Sequence, residues 1–340
     1  MPIQWIVRKS SRNLLLITNF KLPVLFLSLI KSLGHRAEFL FGAKKEILVI
    51  YSLFFVISAV AGEKIRLWQG TSVSNKSVTL EVFLPDRVPA EKIPAIIICP
   101  GGSYSWHDYE TEGTGVAKWL CNNGIAAFVL NYRVQGVFNF ITHARLIVPG
   151  HHHPHMLQDG QRAIQYVREH AEQYGIDINR VGAMGFSAGG HLVMSLAEFS
   201  STDFLKPLGI VSKVSLRPDF TVPIYPVVTM TEKVCHTRSR RALLGEYGKF
   251  RKSLRDSLSL ERHVPSDCPP VFLVNCKDDP IVKYQNSELL DSALTAKGIK
   301  HTYIQYLTGG HGFGASDVKG TVECRQWKQR FLEWLKELRD

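Results

Sequence analysis

The sequence lacks several features that are typical of particular protein classes. Its 340 residues include six cysteines, and no two of them form a Cys-x-x-Cys pair, which argues against a disulfide-dense scaffold and a structural zinc site. No internal repeat or block of like charges occurs, and more than half of the formal net charge of +11 lies in residues 1–62, so a nucleic-acid partner is not expected. With 45% hydrophobic residues, the chain is typical of one or two folded domains rather than of a disordered or coiled-coil protein.

Residues 44–61 have the pattern of a secretory signal peptide. Two lysines precede an apolar run from Ile47 to Ile57, and Ala59 and Ala61 form an Ala-x-Ala end. The apolar run is shorter than the roughly 20 residues that a membrane-spanning helix needs. We therefore predict cleavage after Ala61 and a secreted or periplasmic protein without a membrane span. An N-terminal anchor that is not cleaved is the alternative.

Residues 1–43 form an extension of unknown role that has no interpretable motif. A signal peptide ordinarily opens a chain, and no methionine lies between Met1 and Met156. One hypothesis is therefore that translation begins near residue 44 at a codon other than Met.

Residues 62–340 have the pattern of one α/β domain. Apolar runs alternate with amphipathic segments, which indicates βαβ units and a mostly parallel central sheet flanked by helices. The predicted strands cover 78–84, 95–99, 125–130, 180–186, 220–228, 271–276 and 300–306. The predicted helices cover 115–122, 156–174, 191–199, 285–297 and 322–338. Residues 231–263 are polar and helix-prone, so we expect a small helical cap insertion over one end of the sheet.

A G-x-S-x-G motif lies between a predicted strand and a predicted helix. It reads Gly185-Phe186-Ser187-Ala188-Gly189, and this setting places a serine on a cramped turn with its hydroxyl exposed beyond the sheet. Glycines on both sides leave room for the turn. The motif predicts Ser187 as a nucleophile, and the alternative is a glycine-rich turn that happens to contain serine.

A serine nucleophile needs a base and an orienting acid, in the chain order Ser, Asp, His. Asp279 follows the predicted strand 271–276 and precedes a proline, which favours an extended backbone. His311 lies in the glycine-rich loop after the last strand. We predict Asp279 as the acid and His311 as the base, with Asp278 as a solvated loop residue or cap.

Acyl transfer also requires N–H donors for the oxygen that becomes negatively charged. The N–H of Ala188 directly follows the nucleophile, and a second donor is expected after the strand 95–99. There Gly101 and Gly102 allow the backbone to turn inward, so we predict Gly102 or Ser103 as this donor. A plain turn at the end of a strand is the alternative.

Aromatic residues follow this loop. Tyr104, Trp106 and Tyr109 either stack on a sugar ring or pack within the loop, and we name Tyr104 and Trp106 as candidate substrate contacts. Asp159 and Arg162 are expected to cap and pair at a helix start on the surface.

Four histidines occur between residues 151 and 155. Imidazoles bind transition metals, but adjacent histidines cannot all face one ion and no carboxylate stands at ligand spacing. We therefore expect a loop here, and neither a metal nor a cofactor.

These motifs together resemble those of the α/β-hydrolase superfamily and, within it, secreted bacterial carbohydrate esterases of the acetylxylan and feruloyl esterase-like group. The resemblance rests on Pro100 to Trp106, Asn131 to Arg133, Gly185 to Gly190, Asp279 to Val282 and Gly310 to Phe313. It implies a metal-free serine esterase that removes acyl groups, acetyl in the first place, from xylan or its oligosaccharides. Ser103 stands where many relatives have a third glycine.

Two other functions stay open at this point. A peptidase of the prolyl-peptidase type shares the fold and the three residues, although no propeller-sized domain precedes the hydrolase pattern. A non-catalytic carbohydrate-binding protein could keep the fold without the activity, because one scaffold supports many functions.

Overall fold

Eight strands make up one mixed sheet in the described part of this computed structural model. The structure describes residues 62–73, 75–86, 91–142, 150–231 and 233–338. The strands lie in the order β1-β2-β4-β3-β5-β6-β7-β8. β1 pairs antiparallel with β2 and β2 with β4, whereas all the other pairs are parallel. This arrangement confirms the predicted, mostly parallel sheet.

The strand bounds follow the apolar runs of the sequence. The strands are β1 Lys64–Arg66, β2 Thr79–Phe83, β3 Ile93–Cys99, β4 Ala126–Asn131, β5 Ile176–Phe186, β6 Thr221–Ile224, β7 Val271–Cys276 and β8 His301–Tyr306. Every residue of β7 is buried, as expected for a strand covered by helices on both faces. The predicted strand 220–228 was too long. It ends at Ile224 because Tyr225 takes a φ of 38°, which no extended strand allows.

Eight α-helices lie within the described residues. They are α1 Gly115–Asn122, α2 Val137–Thr142, α3 His155–Glu169, α4 Ala188–Glu198, α5 Thr237–Gly248, α6 Lys252–Ser257, α7 Gln285–Ala296 and α8 Trp327–Glu337. A π-helical turn, Glu110–Thr114, precedes α1. The predicted helix 191–199 in fact begins at Ala188, directly behind the G-x-S-x-G serine.

The helices cover the sheet from both sides. Leu157 and Ile164 of α3 join Leu192 and Leu196 of α4 in one hydrophobic cluster. A second cluster contains Val116 and Leu120 of α1 and Trp327, Phe331 and Trp334 of α8. Burial of these side chains from water is the main force that fixes the layers.

The predicted helical insertion lies between β6 and β7 and contains α5 and α6. The N–H of His153 donates to the carbonyl of Leu243 at 2.8 Å, and His152 bonds the carbonyl of Ala242 at 2.9 Å. These contacts fasten the insertion to the loop before α3.

The described residues begin at Gly62. The predicted extension 1–43 and signal peptide 44–61 lie outside the described residues, so both stay predictions. Over the ranges that are described, no helix is long and apolar enough to cross a membrane.

Candidate active site

Ser187 lies on a tight turn between β5 and α4. Its φ of 53° and ψ of −115° are strained for a residue with a side chain. The turn requires glycine at two neighbouring positions, because other backbone atoms lie too close for a side chain there. A Cβ atom on Gly189 would lie 1.9 Å from the carbonyl oxygen of Cys99, and one on Gly185 would lie 2.1 Å from that of Gly189. The close approach of the backbone therefore fixes the position of the Ser187 hydroxyl.

The three residues predicted from different parts of the sequence lie in one hydrogen-bonded chain. His311 Nε2 lies 3.0 Å from Ser187 Oγ, and His311 Nδ1 lies 2.6 Å from Asp279 Oδ2. A carboxylate only accepts hydrogen bonds, so Nδ1 carries the proton and Nε2 is left to accept one from the serine hydroxyl. This is the geometry that a serine nucleophile and its general base require.

The two adjacent aspartates after β7 hold different parts of this site. Besides His311, Asp279 accepts the N–H groups of Ile281 at 2.8 Å and Val282 at 2.9 Å, which fix its carboxylate. Asp278 accepts the N–H groups of Gly309 and Gly310 at 3.2 and 2.9 Å. Asp278 was interpreted as a solvated loop residue or cap, and its exposed side chain does cap backbone N–H groups, those of the loop that carries the imidazole.

The loop after β3 supplies candidate N–H donors. Gly102 and Ser103 have φ values of 131° and 57°, and a Cβ on Gly102 would lie 2.1 Å from the carbonyl oxygen of Trp106. Within the described parts of the chain, no protein acceptor takes the N–H of Gly102, Ser103 or Ala188. A Cβ on Gly101 would lie 2.9 Å from the Ser187 Cβ, so this loop, called the donor loop below, contacts the serine turn directly.

A buried carboxyl lies beneath the donor loop. Glu112 Oε2 accepts the N–H of Gly101 at 2.8 Å, and Oε1 accepts the hydroxyl of Tyr225 at 2.8 Å. Burial raises the pKa of Glu112 to about 7, although the nearby His311 and both hydrogen bonds oppose the rise. Glu112 was not predicted, because its only signal in the sequence is an acidic residue next to glycine before an apolar helix.

Known proteins share this architecture. Residues 80–294 match the model of the BD-FAE family. The chain is 33% identical over 234 residues to an acetylxylan esterase of Xylanibacter ruminicola, covering 68% of this chain and 43% of that protein. It is 34% identical over 222 residues to endo-1,4-beta-xylanase B of Butyrivibrio fibrisolvens, covering 65% of this chain and 32% of that protein. The chain thus spans less than half the length of these two relatives.

The chain belongs to the BD-FAE family. A solved structure, the acetyl ester-xyloside bifunctional hydrolase from Caldicellulosiruptor lactoaceticus, gives a TM-score of 0.70 at 33% identity, covering 82% of this chain and 97% of that one. These matches confirm the α/β-hydrolase fold and the resemblance to carbohydrate esterases. The segment that matches the BD-FAE family contains Ser187 and Asp279 and ends before His311.

The structure contradicts Tyr104 as a sugar platform. Its side chain is only 1% exposed, and its hydroxyl bonds His191 Nδ1 at 2.8 Å. The ring lies edge-on to Tyr132 and His191, so no face remains for a substrate. In this BD-FAE protein Tyr104 instead ties the donor loop to the first turn of α4.

The other two aromatic residues of this region differ in exposure and contacts. Trp106 is partly exposed and lines a cavity of about 440 Å³ together with His107, Tyr109 and Val137. The Tyr109 hydroxyl donates to Glu81 at 2.7 Å, which fits the packing interpretation for this residue. Trp106 stays a candidate substrate contact.

The prediction of a surface cap for Asp159 was wrong. Asp159 has no exposed surface and pairs with the Arg133 guanidinium at 2.8 Å. It also accepts the backbone N–H of Arg133 at 2.7 Å and the indole N–H of Trp68 at 2.8 Å. Burial of a charge is tolerated here because its hydrogen bonds are satisfied. Arg162 donates instead to the carbonyl of Leu67.

The histidine-rich loop has packing contacts. His153 lies edge-on to Phe204, and the rings of His151 and His155 lie edge-on to each other. As far as the structure describes the chain, no group of three or more His, Cys, Asp or Glu residues is placed to hold a metal ion.

Proposed function

We propose that the protein is a serine esterase that removes acetyl groups from acylated carbohydrate such as xylan or its oligosaccharides. The observation that carries the proposal is the hydrogen-bonded chain from Ser187 through His311 to Asp279. The names of the relatives, an acetylxylan esterase and an acetyl ester-xyloside hydrolase, support the acetylated carbohydrate as substrate.

In the first half of the reaction His311 Nε2 accepts the Ser187 proton while Oγ attacks the ester carbonyl carbon. The N–H of Ala188 and that of Gly102 or Ser103 stabilise the oxygen that becomes negatively charged. The protonated imidazole then gives its proton to the oxygen of the departing sugar alcohol. An acyl-enzyme remains on Ser187.

In the second half a water molecule attacks the acyl-enzyme, and His311 Nε2 accepts a proton from that water. The Ser187 oxygen then leaves with this proton, and the carboxylic acid is released. Asp279 keeps the proton of the neutral imidazole on Nδ1 and stabilises its charged form in both halves. No metal or cofactor takes part in the proposed steps.

The decisive experiment compares acyl groups directly. Acetate release from acetylated xylooligosaccharides and ferulate release from feruloylated ones are measured with the wild-type enzyme and with Ser187→Ala. We expect acetate release by the wild type and a rate lower by about 10⁵-fold or more for the variant.

Other outcomes identify other functions. Release of ferulate alone would replace acetyl with feruloyl as the acyl group. Cleavage of a proline-blocked peptide without any ester hydrolysis would favour the prolyl-peptidase type. Unchanged acetate release by Ser187→Ala would exclude the proposed mechanism.

Trp106 is our proposed contact to the sugar, since its partly exposed indole follows the donor loop. Trp106→Ala is expected to raise KM for acetylated xylooligosaccharides by about tenfold, the size of one lost aromatic stacking contact, and to leave KM for 4-nitrophenyl acetate unchanged. An equal change for both substrates would contradict this role.

We also propose that the protein acts after export, on the basis of the signal-peptide pattern in residues 44–61. N-terminal sequencing of the secreted protein is expected to give Gly62 as the first residue. A mature chain that retains Phe20 or Phe41 would contradict both the cleavage site and a start near residue 44.

A further inference from the structure

Glu112 is a buried acid that the proposed reaction does not use. It is 3% exposed and, in the described part of the molecule, has no salt-bridge partner. Burial of a carboxylate costs several kcal/mol unless hydrogen bonds replace its water. A neutral side chain would avoid that cost. The partners of the two hydrogen bonds made by Glu112 therefore indicate what the buried acid holds in place.

One of these bonds holds the donor loop. The carboxylate accepts the N–H of Gly101 at 2.8 Å, and Gly101 directly precedes Gly102 and Ser103. This bond fixes the plane of the peptide between Pro100 and Gly101, which lies directly before the candidate donors. The orientation of the candidate oxyanion donors therefore depends on Glu112.

The other bond leads to the loop that carries the imidazole. The Tyr225 hydroxyl donates to Glu112 Oε1 at 2.8 Å and accepts the N–H of Gly314 at 3.0 Å. The Tyr225 ring lies 4.6 Å from the His311 ring and 4.6 Å from that of Phe313, measured between centroids. Tyr225 thus contacts the imidazole and bonds the backbone three residues after it.

We propose that Glu112 is a positioning residue that, through Tyr225, holds the donor loop and the His311 loop in one fixed arrangement around Ser187. The inference rests on the proposed esterase function and adds a residue pair to it. Neither side chain takes up or gives a proton in the proposed reaction, and of the two only Tyr225 contacts the His311 ring. Their loss displaces the groups that react, and a displacement of about 1 Å is enough to lower a rate about 100-fold.

The test uses two substitutions that keep the packing. Glu112→Gln retains the side-chain volume, but its amide accepts at one end only, so it can no longer accept hydrogens from both Gly101 and Tyr225. Tyr225→Phe retains the ring and removes only the hydroxyl. We expect each variant to lower kcat for 4-nitrophenyl acetate by about 10- to 100-fold, with KM changed less than twofold. We expect the double variant to be no slower than the slower single one, because both changes break the same connection.

Active-site titration separates positioning from folding. The enzyme concentration is measured by stoichiometric fluorophosphonate labelling, so that unfolded protein does not count. Glu198→Gln is the matched control, since Glu198 is 6% exposed and lies ten residues along α4 from Ala188, about 15 Å away. We expect its kcat per labelled site to equal that of the wild type.

Each outcome decides the proposal. Unchanged kcat per labelled site in both variants would overturn it, as would independent, multiplying effects in the double variant. If Glu112→Gln does not fold, Tyr225→Phe alone decides, by the same kcat and KM criteria. Absence of ester hydrolysis by the wild-type enzyme would instead contradict the proposed function.

Discussion

The serine turn and the His311 loop both depend on glycine, but for opposite physical reasons. At the turn the backbone of β3 and α4 comes so close to Gly185 and Gly189 that no Cβ atom fits. In the loop Gly310 and Gly312 have φ values of 67° and 74°, and a Cβ on either would meet nothing within 4 Å. Close packing therefore fixes Ser187, the proposed nucleophile, whereas backbone conformation and a few hydrogen bonds place His311, the proposed base.

Substitutions in the serine turn and in the His311 loop are therefore expected to have different effects. The serine turn is part of the protein core, so a change there is expected to affect folding. The His311 loop is held by Asp278, Asp279 and Tyr225, so a change there is expected to affect the rate before it affects stability.

Substitution of the two adjacent aspartates is expected to lower kcat to very different extents. Asp279→Asn is expected to lower kcat by about 10⁴-fold, because the amide no longer fixes the imidazole proton on Nδ1. Asp278→Asn keeps an acceptor for one of two backbone N–H groups, so we expect a loss of about tenfold or less. The measurement is kcat for 4-nitrophenyl acetate with both purified variants, and equal losses would contradict the different roles.

A second pair of substitutions tests the two uses of glycine. Gly189→Ala places a methyl group 1.9 Å from a backbone oxygen, and we expect it to lower the free energy of unfolding by about 4 kcal/mol or more. Gly312→Ala meets no neighbour and is expected to cost about 1 kcal/mol from its left-handed backbone. Urea unfolding of both variants measures the difference, and similar losses would show that close packing is not what sets the turn apart.

A third prediction concerns acid stability on the α4 side of the serine turn. Burial lowers the pKa of His191 from 6.5 to about 4, and its Nε2–H donates to the carbonyl of Leu258 at 3.0 Å. Because the unfolded chain binds this proton first, the free energy of unfolding is expected to fall by about 3 kcal/mol as the pH drops from 6.5 to 4.

The matched measurement follows urea unfolding of the wild type and of His191→Gln at several pH values in that range. The loss of stability with acid is expected to be smaller in the variant. Five other imidazoles with a lowered pKa are present in both proteins and cancel in the comparison: His107, His151, His153, His155 and His236. Parallel pH curves would contradict the assignment to His191.

The features that could be predicted from the sequence are those that depend on local patterns. Seven of the eight described strands, the helices α1, α3, α4, α7 and α8, and the glycine-flanked serine turn follow from residues near each other in the chain. The short elements β1 and α2 were not predicted. The positions of Asp279 and His311 were also predictable, because each follows a predicted strand in the order that the fold requires.

The remaining features depend on partners far apart in the sequence. Glu112 and Tyr225 are 113 positions apart, and Asp159 meets Arg133 26 positions away inside the core. A charged residue next to a helix start is ordinarily a surface cap, so nothing local indicated that Asp159 is buried. The predicted strand 220–228 was too long because the bend at Tyr225 brings its hydroxyl to Glu112, a tertiary contact that outweighs local strand propensity.

Labelling with a fluorophosphonate followed by peptide mapping tests whether His311 activates Ser187, because the probe reacts with a serine only when a neighbouring base activates it. We expect one label per molecule on Ser187, none on Ser187→Ala, and labelling of His311→Gln slowed by orders of magnitude. A folded wild-type protein that stays unlabelled, or one labelled at full rate without His311, would contradict this activation.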